Sequence, residues 1–245
     1  MRRVVILSSV LWLGALMSAP VSYGQVAQGS IEHPYRGVQT RVPGVFVTPV
    51  PNAPFSAVVD IQTTVELDNG QTAMRKTTNR IARDAQGRIY NERRQLVPVT
   101  FAGEPSLLSV HLYDPQTRMS VFLIPSTHLA HEMVLQQRPQ EPSHPLSPEI
   151  KEEDLGSSVM EAVAVHGILQ TKTVTAAVST TGKPLMIKDQ YWYSEDLHLN
   201  MLMKHEDPRT GAQIISVTQV KRGEPDPKLF EVPAGYKAVD ETPVQ

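Results

Sequence analysis

The sequence has 245 residues, a formal net charge of −2 and 0 Cys. Without cysteine, the chain can form neither a disulfide nor a lipidated N-terminal anchor, and the charge balance does not suggest a nucleic-acid binder. Stability must come from a packed core, which a chain of this length can supply as one domain.

Residues 1–24 have the pattern of a secretory signal peptide. Arg2 and Arg3 precede a short apolar stretch at 4–17, and small residues precede the expected cleavage site at Gln25. The apolar stretch is shorter than the roughly 20 residues that cross a bilayer, although an uncleaved anchor is the alternative. We therefore expect an exported protein, periplasmic or else extracellular, that does not span a membrane after cleavage.

Residues 25–54 form a predicted arm or linker that is rich in Pro and Gly and has no sustained period. A short strand at 45–48 along a sheet edge is an alternative for part of it. A helix is excluded by the prolines at positions 34, 43, 49, 51 and 54.

Residues 55–237 form the predicted antiparallel β domain. Alternating apolar and polar runs are closed by turn signals such as Asp68-Asn69-Gly70 and Asp84-Ala85-Gln86-Gly87. In the clearest hairpin, Val59 and Ile61 share one strand face before the chain returns. Because the strands are long, the sequence predicts a single curled meander, mainly β and half-barrel-like, with about ten or eleven strands and few short helices.

Several segments are less regular. Residues 136–158 are predicted to be a long Pro-rich and acidic loop, with a short helix at 148–155 as the alternative. Residues 128–135 are interpreted as a strand rather than a helical turn. The next predicted turn is His166-Gly167.

The end of the chain has two predicted features. Pro225 to Phe230 reads as a single helical turn anchored to the sheet by Leu229 and Phe230. Residues 238–245 read as a C-terminal tail.

The sequence carries no recognisable catalytic motif. It has no Gly-x-Ser-x-Gly nucleophile elbow, and cysteine catalysis is impossible. His128 and His131 are three apart, so on a strand they would face opposite sides and could not share an ion. We therefore predict a protein that is not an enzyme, with no metal and no cofactor.

A basic stretch is the first candidate binding feature. Seven Lys and Arg residues lie between positions 75 and 94, and Arg75, Arg80 and Arg83 are the candidates for a basic rim. Long cationic side chains commonly cover apolar surface at a solvated rim. The alternative is recognition of an anionic group such as a carboxylate or phosphate.

An apolar face rich in Met and Tyr is the second candidate. Met201 and Met203 share a face of one strand, and Tyr191 and Tyr193 share a face of the strand before it. Ordinary core packing is one interpretation. The other is a concave surface that accepts a varied apolar ligand, for which Met is well suited.

Motifs in the second half of the sequence resemble those of two groups of known proteins. Tyr191-Trp192-Tyr193-Ser194-Glu195-Asp196-Leu197, together with Glu224-Pro225-Asp226-Pro227 and Leu229-Phe230-Glu231-Val232-Pro233, resembles a family of uncharacterised exported bacterial proteins. The long strands and the ending Pro233-x-Gly235-Tyr236 are similar to the periplasmic lipoprotein-carrier superfamily, which includes lipoprotein chaperones and sensors of envelope stress. That resemblance implies a half-barrel whose concave face holds acyl chains beneath covering helices, but this chain lacks obvious covering helices.

The function expected from these observations is a periplasmic binding or carrier module for an apolar or amphipathic, lipid-like ligand. The candidate partner is then a lipid or an acylated molecule. The alternative is a structural or interaction module of the cell envelope, whose partner would be an envelope protein.

Overall fold

A computed structural model describes residues 45–67, 70–136, 149–179 and 182–243. In these residues, thirteen strands form one sheet. In chain order the strands are β1 (Phe55–Glu66), β2 (Thr72–Arg83), β3 (Ile89–Arg94), β4 (Val97–Pro98), β5 (Leu107–Asp114), β6 (Met119–Ile124), β7 (Leu129–Val134), β8 (Ile150–Met160), β9 (Val163–Val174), β10 (Leu185–Ser194), β11 (Leu199–Asp207), β12 (Gly211–Arg222) and β13 (Lys237–Asp240).

The sheet consists of two antiparallel meanders that meet in the middle. One runs outward from β1 through β2, β3, β5 and β6 to β7, and the other runs from β12 back to β8. β1 pairs with β12 where the meanders meet. β13 adds a parallel strand beside β7, and no pairing in the described chain joins it to β8, so the sheet stays open.

The predicted fold class, a mainly β antiparallel sheet, is confirmed. The described strands outnumber the prediction because β4 and β13 have only two and four residues, too few for a visible alternation. Residues 129–134 are a strand, as interpreted, and the predicted helical turn is a 3₁₀ turn at Pro227–Phe230. Among the described residues, no helix is long and apolar enough to cross a bilayer.

The β1–β2 hairpin is the longest local pairing, and it follows from the alternation in the sequence. Its register runs from Phe55 opposite Arg83 to Glu66 opposite Thr72. Gly70 has a φ of 76°, a left-handed conformation that glycine adopts at little cost. The other residues of this predicted turn, 68 and 69, lie outside the described residues.

The acidic segment is not a loop or a helix, because residues 150–160 form the edge strand β8. The prediction was wrong here because a run of charges is typical of a loop but also occurs on an edge strand. A strand with a neighbour on only one side tolerates charges, since they remain in solvent and also discourage pairing with other chains. The predicted loop residues 137–148 lie outside the described residues.

The turn that follows β8 is also displaced from its predicted position. The chain reverses at Glu161 and Ala162, which have φ values of 50° and 58°, rather than at His166-Gly167. Neither residue is a usual turn former, so the sequence contains no signal for this turn. At the C-terminus, the sheet extends to Asp240, past the predicted domain boundary at 237.

The sheet has two faces, which we name by the segments that cover them. The arm face carries a continuous cross-strand row of Tyr191, Met203, Ile215, Ile61 and Thr77. It is covered by residues 45–54, the arm segment, of which Val45 and Val47 are buried in the main apolar cluster. The arm segment thus lies across a face and not along an edge.

The tail face is the opposite side of the sheet, and its buried cluster lies on β5, β6 and β7. Val110, Leu112, Val121 and Leu123 form a second buried cluster there, against which Tyr236 of the C-terminal segment packs. Among the described residues, extended segments from the two ends of the domain therefore pack on these clusters, where the resemblance implied helices.

Arg83 fastens the arm segment to the sheet. Its side chain has 0% exposure, and its guanidinium donates to the backbone oxygens of Ala53, at 2.7 and 2.9 Å, and of Thr48, at 2.7 Å. The guanidinium also lies 5.0 Å from the ring centre of Phe55. Burial lowers the pKa of Arg83 to about 10, with Tyr193 acting in the opposite direction, so the side chain remains charged at neutral pH.

Replacing Arg83 should loosen the arm segment. We expect Arg83→Lys to lower the free energy of unfolding by about 2–3 kcal/mol, because a single ammonium nitrogen cannot occupy the separate positions from which Nε, Nη1 and Nη2 reach the two carbonyls. Urea denaturation measures the loss, and amide hydrogen exchange should accelerate across residues 45–53. Arg80→Lys is the matched control: that side chain is 59% exposed, and surface pairs contribute about 1 kcal/mol at most. Equal effects of the two substitutions would contradict this role.

A second prediction concerns the close contact between β9 and β10. A Cβ added at Gly167 would lie 2.8 Å from a ring carbon of Trp192. Gly167→Ala should therefore destabilise the protein by about 1–3 kcal/mol through overpacking. In thermal unfolding, the added substitution Trp192→Leu should remove most of this penalty, and additive losses would show that the indole is not the cause.

Candidate ligand-binding pocket

A pocket of ≈ 380 Å³ lies on the arm face between the arm segment and strands β1, β2, β3, β5 and β6. Its volume falls within the roughly 300–1,000 Å³ typical of small-molecule sites. One wall is apolar, with Val59, Ile61 and Leu96. The other is polar, and its side chains include Thr77, Asn79, Asn91, Ser109 and His111.

The pocket has a buried inner end and an exposed mouth. Val59, Ile61 and Thr77 are exposed by only 2%, 5% and 4%, whereas Phe46 and Phe122 at the other end are 75% and 48% exposed. A ligand with an apolar body could therefore enter between two aromatic side chains and reach a closed end.

Side-chain size explains why a space remains here. Along the row defined above, Met203, Ile215 and Ile61 fill the volume beneath the covering chain, but the next strand contributes the shorter Thr77. Its neighbour Asn79, opposite Val59, is also short and polar. Phe46 of the arm segment lines the pocket but is largely exposed, so its side chain does not fill the gap.

His111 and Phe122 form the wall on β5 and β6. Their rings stack with centres 4.4 Å apart and planes 11° apart. His111 Nε2 shares a hydrogen bond of 2.9 Å with Ser120 Oγ. Burial lowers the pKa of His111, which favours a neutral imidazole in this wall.

An ionic network supports the pocket wall on β3. The carboxylate of Glu92, whose side chain is nearly fully buried, accepts hydrogen bonds from Arg94 Nε at 2.7 Å and from the Tyr90 hydroxyl at 2.7 Å. Arg94 also donates to the backbone oxygen of Pro105 and pairs with Glu104. The network thereby fixes the chain that follows β4.

Two opposing effects act on the pKa of Glu92. Burial raises this pKa, but the hydrogen bonds from Arg94 and Tyr90 lower it by more than burial raises it. The pKa of Glu92 therefore lies below its ordinary value. The pKa of Tyr90 is raised by burial and by its bond to the same carboxylate. At neutral pH the network therefore holds a charged Glu92 and a neutral Tyr90.

The residues predicted from sequence lie elsewhere, and none lines this pocket. Met201 and Met203 are buried in the main cluster, with Tyr191 packed against it, so this part of the arm face is filled. Tyr193 is half-buried and near Arg83. Contact of these residues with a ligand stays a prediction.

The predicted basic residues do not form one rim. Arg83 was predicted to belong to an exposed rim, and that is wrong. It is enclosed beneath the arm segment, where its aliphatic stem and its charge are both removed from solvent. Arg80 is exposed on the opposite face and pairs with Glu92 and Glu104. Arg75 lies half-buried on β2, opposite Pro98.

The pocket residues carry no distinct signal in the sequence. Thr77, Asn79 and Asn91 alternate with residues of the other face, as polar positions of an ordinary solvated strand also do. Only the register, which places Thr77 opposite the buried Ile61, distinguishes these residues from solvated ones.

No group of three His, Asp or Glu side chains within the described part of the chain is placed to hold a metal ion.

Stability should depend on the charge of Glu92. Because its folded-state pKa lies below the ordinary value of about 4.3, its contribution is complete above that pH and is lost as pH falls through the lowered pKa. At pH 7 we expect Glu92→Gln to cost about 2–3 kcal/mol in urea denaturation. The difference from wild type should shrink between about pH 5 and pH 3. The exposed Glu104→Gln serves as the control, and a difference independent of pH would contradict the prediction.

No family model matches this sequence, and no curated protein matches it either. Among solved structures, an uncharacterized conserved protein from Thermus thermophilus aligns with a TM-score of 0.42 and 11% identity, over 77% of this chain and 90% of that one. The MucA/MucB complex of Pseudomonas aeruginosa gives a TM-score of 0.42 and 11% identity, over 77% of this chain and 58% of that one.

The superfamily that the sequence resembles is also represented among the matches. A LolA superfamily protein from Nitrosomonas europaea aligns with a TM-score of 0.31 and 10% identity, over 75% of this chain and 92% of that one. These likenesses concern the fold alone.

Proposed function

We propose that this chain is a binding module for a small amphipathic ligand, and that the arm-face pocket is where the ligand is held. The observation that carries the proposal is the cavity of ≈ 380 Å³ with one apolar wall, one polar wall and an aromatic mouth. Such a mixture is typical of sites that bury an apolar body and orient it through a few polar groups. The proposed role is binding and not catalysis.

The apolar wall can supply useful affinity. Each buried methylene group contributes about 0.8 kcal/mol, from which the cost of ordering the ligand must be subtracted. A chain of several methylene groups against Val59, Ile61 and Leu96 would therefore bind with a net gain. Lipid-like molecules of moderate length are the ligand class that this wall favours.

The cellular setting is part of the same proposal. The signal-peptide pattern in residues 1–24 supports export, and a periplasmic carrier would meet lipids or acylated molecules in the envelope. Closure of the pocket by the arm segment would shield the apolar part of such a ligand from water.

One observation favours the alternative, an envelope protein-interaction module. In the described chain, β8 pairs only with β9, so its other edge presents backbone donors and acceptors to a partner. Glu152 and Glu153 are exposed along it and oppose indiscriminate pairing. Failure of the purified protein to bind any amphiphile would favour this alternative.

Blocking the pocket should abolish binding. We expect Ser109→Trp to weaken binding of decanoic acid by about tenfold or more, ~1.4 kcal/mol, because the indole would occupy the polar wall. Displacement of 8-anilinonaphthalene-1-sulfonate fluorescence measures the affinity, and mass spectrometry of lipid extracted from the purified protein gives an independent readout. The proposal fails if wild type binds neither probe nor lipid.

The matched control for this experiment is Ser216→Trp. Ser216 is also half-buried and lies in a central strand, but its partner Asp60 places it on the opposite face. Its substitution should leave decanoic acid affinity unchanged within about twofold. Equal losses in the two variants would mean that binding does not depend on the pocket.

A further inference from the structure

The inner end of the pocket contains a hydroxyl group with no partner. Thr77 is only 4% exposed, and its Oγ1 is fully buried without a hydrogen bond from any described residue. A buried hydroxyl without a partner is unfavourable, so such groups usually have a ligand, a water molecule or a protein partner. Thr77 lines the pocket, where a bound molecule could supply that partner.

The neighbouring polar groups do not compete for this hydroxyl. The amide oxygen of Asn79 accepts a hydrogen bond of 2.8 Å from the backbone nitrogen of Arg94, and Asn91 Nδ2 donates to the backbone oxygen of Val45. One polar atom of each side chain is thus engaged with the backbone, and neither side chain bonds to the Thr77 hydroxyl. The Thr77 hydroxyl is consequently a polar group at the closed end that remains available to a ligand.

The mouth of the pocket offers a second polar contact. Arg93 lines the pocket and is exposed, and no carboxylate in the described chain lies within ion-pair distance of it. Its neighbours Glu92 and Arg94 bind each other, so Glu92 does not neutralise Arg93. A carboxylate or phosphate would suit this position.

We propose that the pocket selects an amphiphile with polar groups at both ends, and that Thr77 is the residue that recognises an oxygen-bearing group at the end that enters first. The anionic group of the ligand then stays near Arg93, and its apolar middle lies against Val59 and Ile61. The ligand class is an acyl chain oxygenated at its far end, such as an ω-hydroxy acid. This inference rests on the proposed function.

A matched pair of ligands tests the inference. Decanoic acid and 10-hydroxydecanoic acid differ only in the terminal hydroxyl, and both displace 8-anilinonaphthalene-1-sulfonate if they occupy the pocket. In wild type we expect 10-hydroxydecanoic acid to bind about tenfold more tightly, ~1.4 kcal/mol. A hydroxyl entering a purely apolar end would instead weaken binding.

Two substitutions assign the preference to Thr77. Thr77→Val removes the hydroxyl at similar volume and should abolish or reverse the preference, whereas Thr77→Ser keeps the hydroxyl and should retain it. Thr77→Val should not lower the melting temperature of the ligand-free protein, because the hydroxyl has no protein partner to lose. This measurement separates a change in recognition from a failure to fold.

Each result has a defined meaning. If both acids bind to wild type with equal affinity, or if Thr77→Val leaves their ratio unchanged, the inference is overturned while the proposed function stands. If neither acid binds to wild type, both the inference and the proposed function fail.

Discussion

The bonds from Arg83 to the backbone oxygens of Thr48 and Ala53 hold the arm segment on the sheet. An extended segment satisfies few of its own backbone groups: in the arm segment Val50 N donates to Thr48 O, but most other groups need partners from elsewhere if they are to be buried. A guanidinium can satisfy two such oxygens at once because its donors point in fixed, divergent directions. Through this contact, the arm segment becomes both the cover of the core and one wall of the pocket.

The turn between β2 and β3 extends this support to both terminal segments. Asp84 is fully buried and accepts hydrogen bonds from the backbone nitrogen and Nε of Arg88, which fixes the turn. The turn then contacts the arm segment through the carbonyl oxygen of Ala85, which accepts from Asn52 N. On the other side, Ala85 N donates to Glu224, which precedes the 3₁₀ turn. One short turn therefore positions the chain that covers each face.

The sequence pattern predicted those parts of the structure that depend on interactions between residues close together in the chain. The alternation around Val59 and Ile61 and the glycine at position 70 are enough to predict the first hairpin. β8 could not be predicted in the same way, because its charges are tolerated at the edge of a sheet. The strand order, which places β8 at that edge, is not apparent from the sequence pattern. The pairing of β1 with β12 joins strands from opposite ends of the predicted domain, and no turn signal encodes it.

The candidate site was harder to predict, for a related reason. Met201 and Met203 have the composition of an adaptable ligand surface, yet they fill the core because the arm segment packs close above that part of the face. The same composition would line a cavity if the cover were farther away. Whether an apolar face is filled or open depends on the separation of two layers, and side-chain volumes from several strands set that separation together.

The pocket places polar side chains at buried positions of the sheet face. A sheet face that carries Ile61, Ile215 and Met203 in one row would be most stable if the row continued with apolar side chains. At Thr77 the row instead places a hydroxyl in a buried position without a partner, and Asn79 follows two residues later. Local departures from stable packing of this kind are characteristic of sites that act on another molecule. At Thr77 and Asn79 this unfavourable polarity coincides with a cavity, and the bound ligand that we propose would account for both.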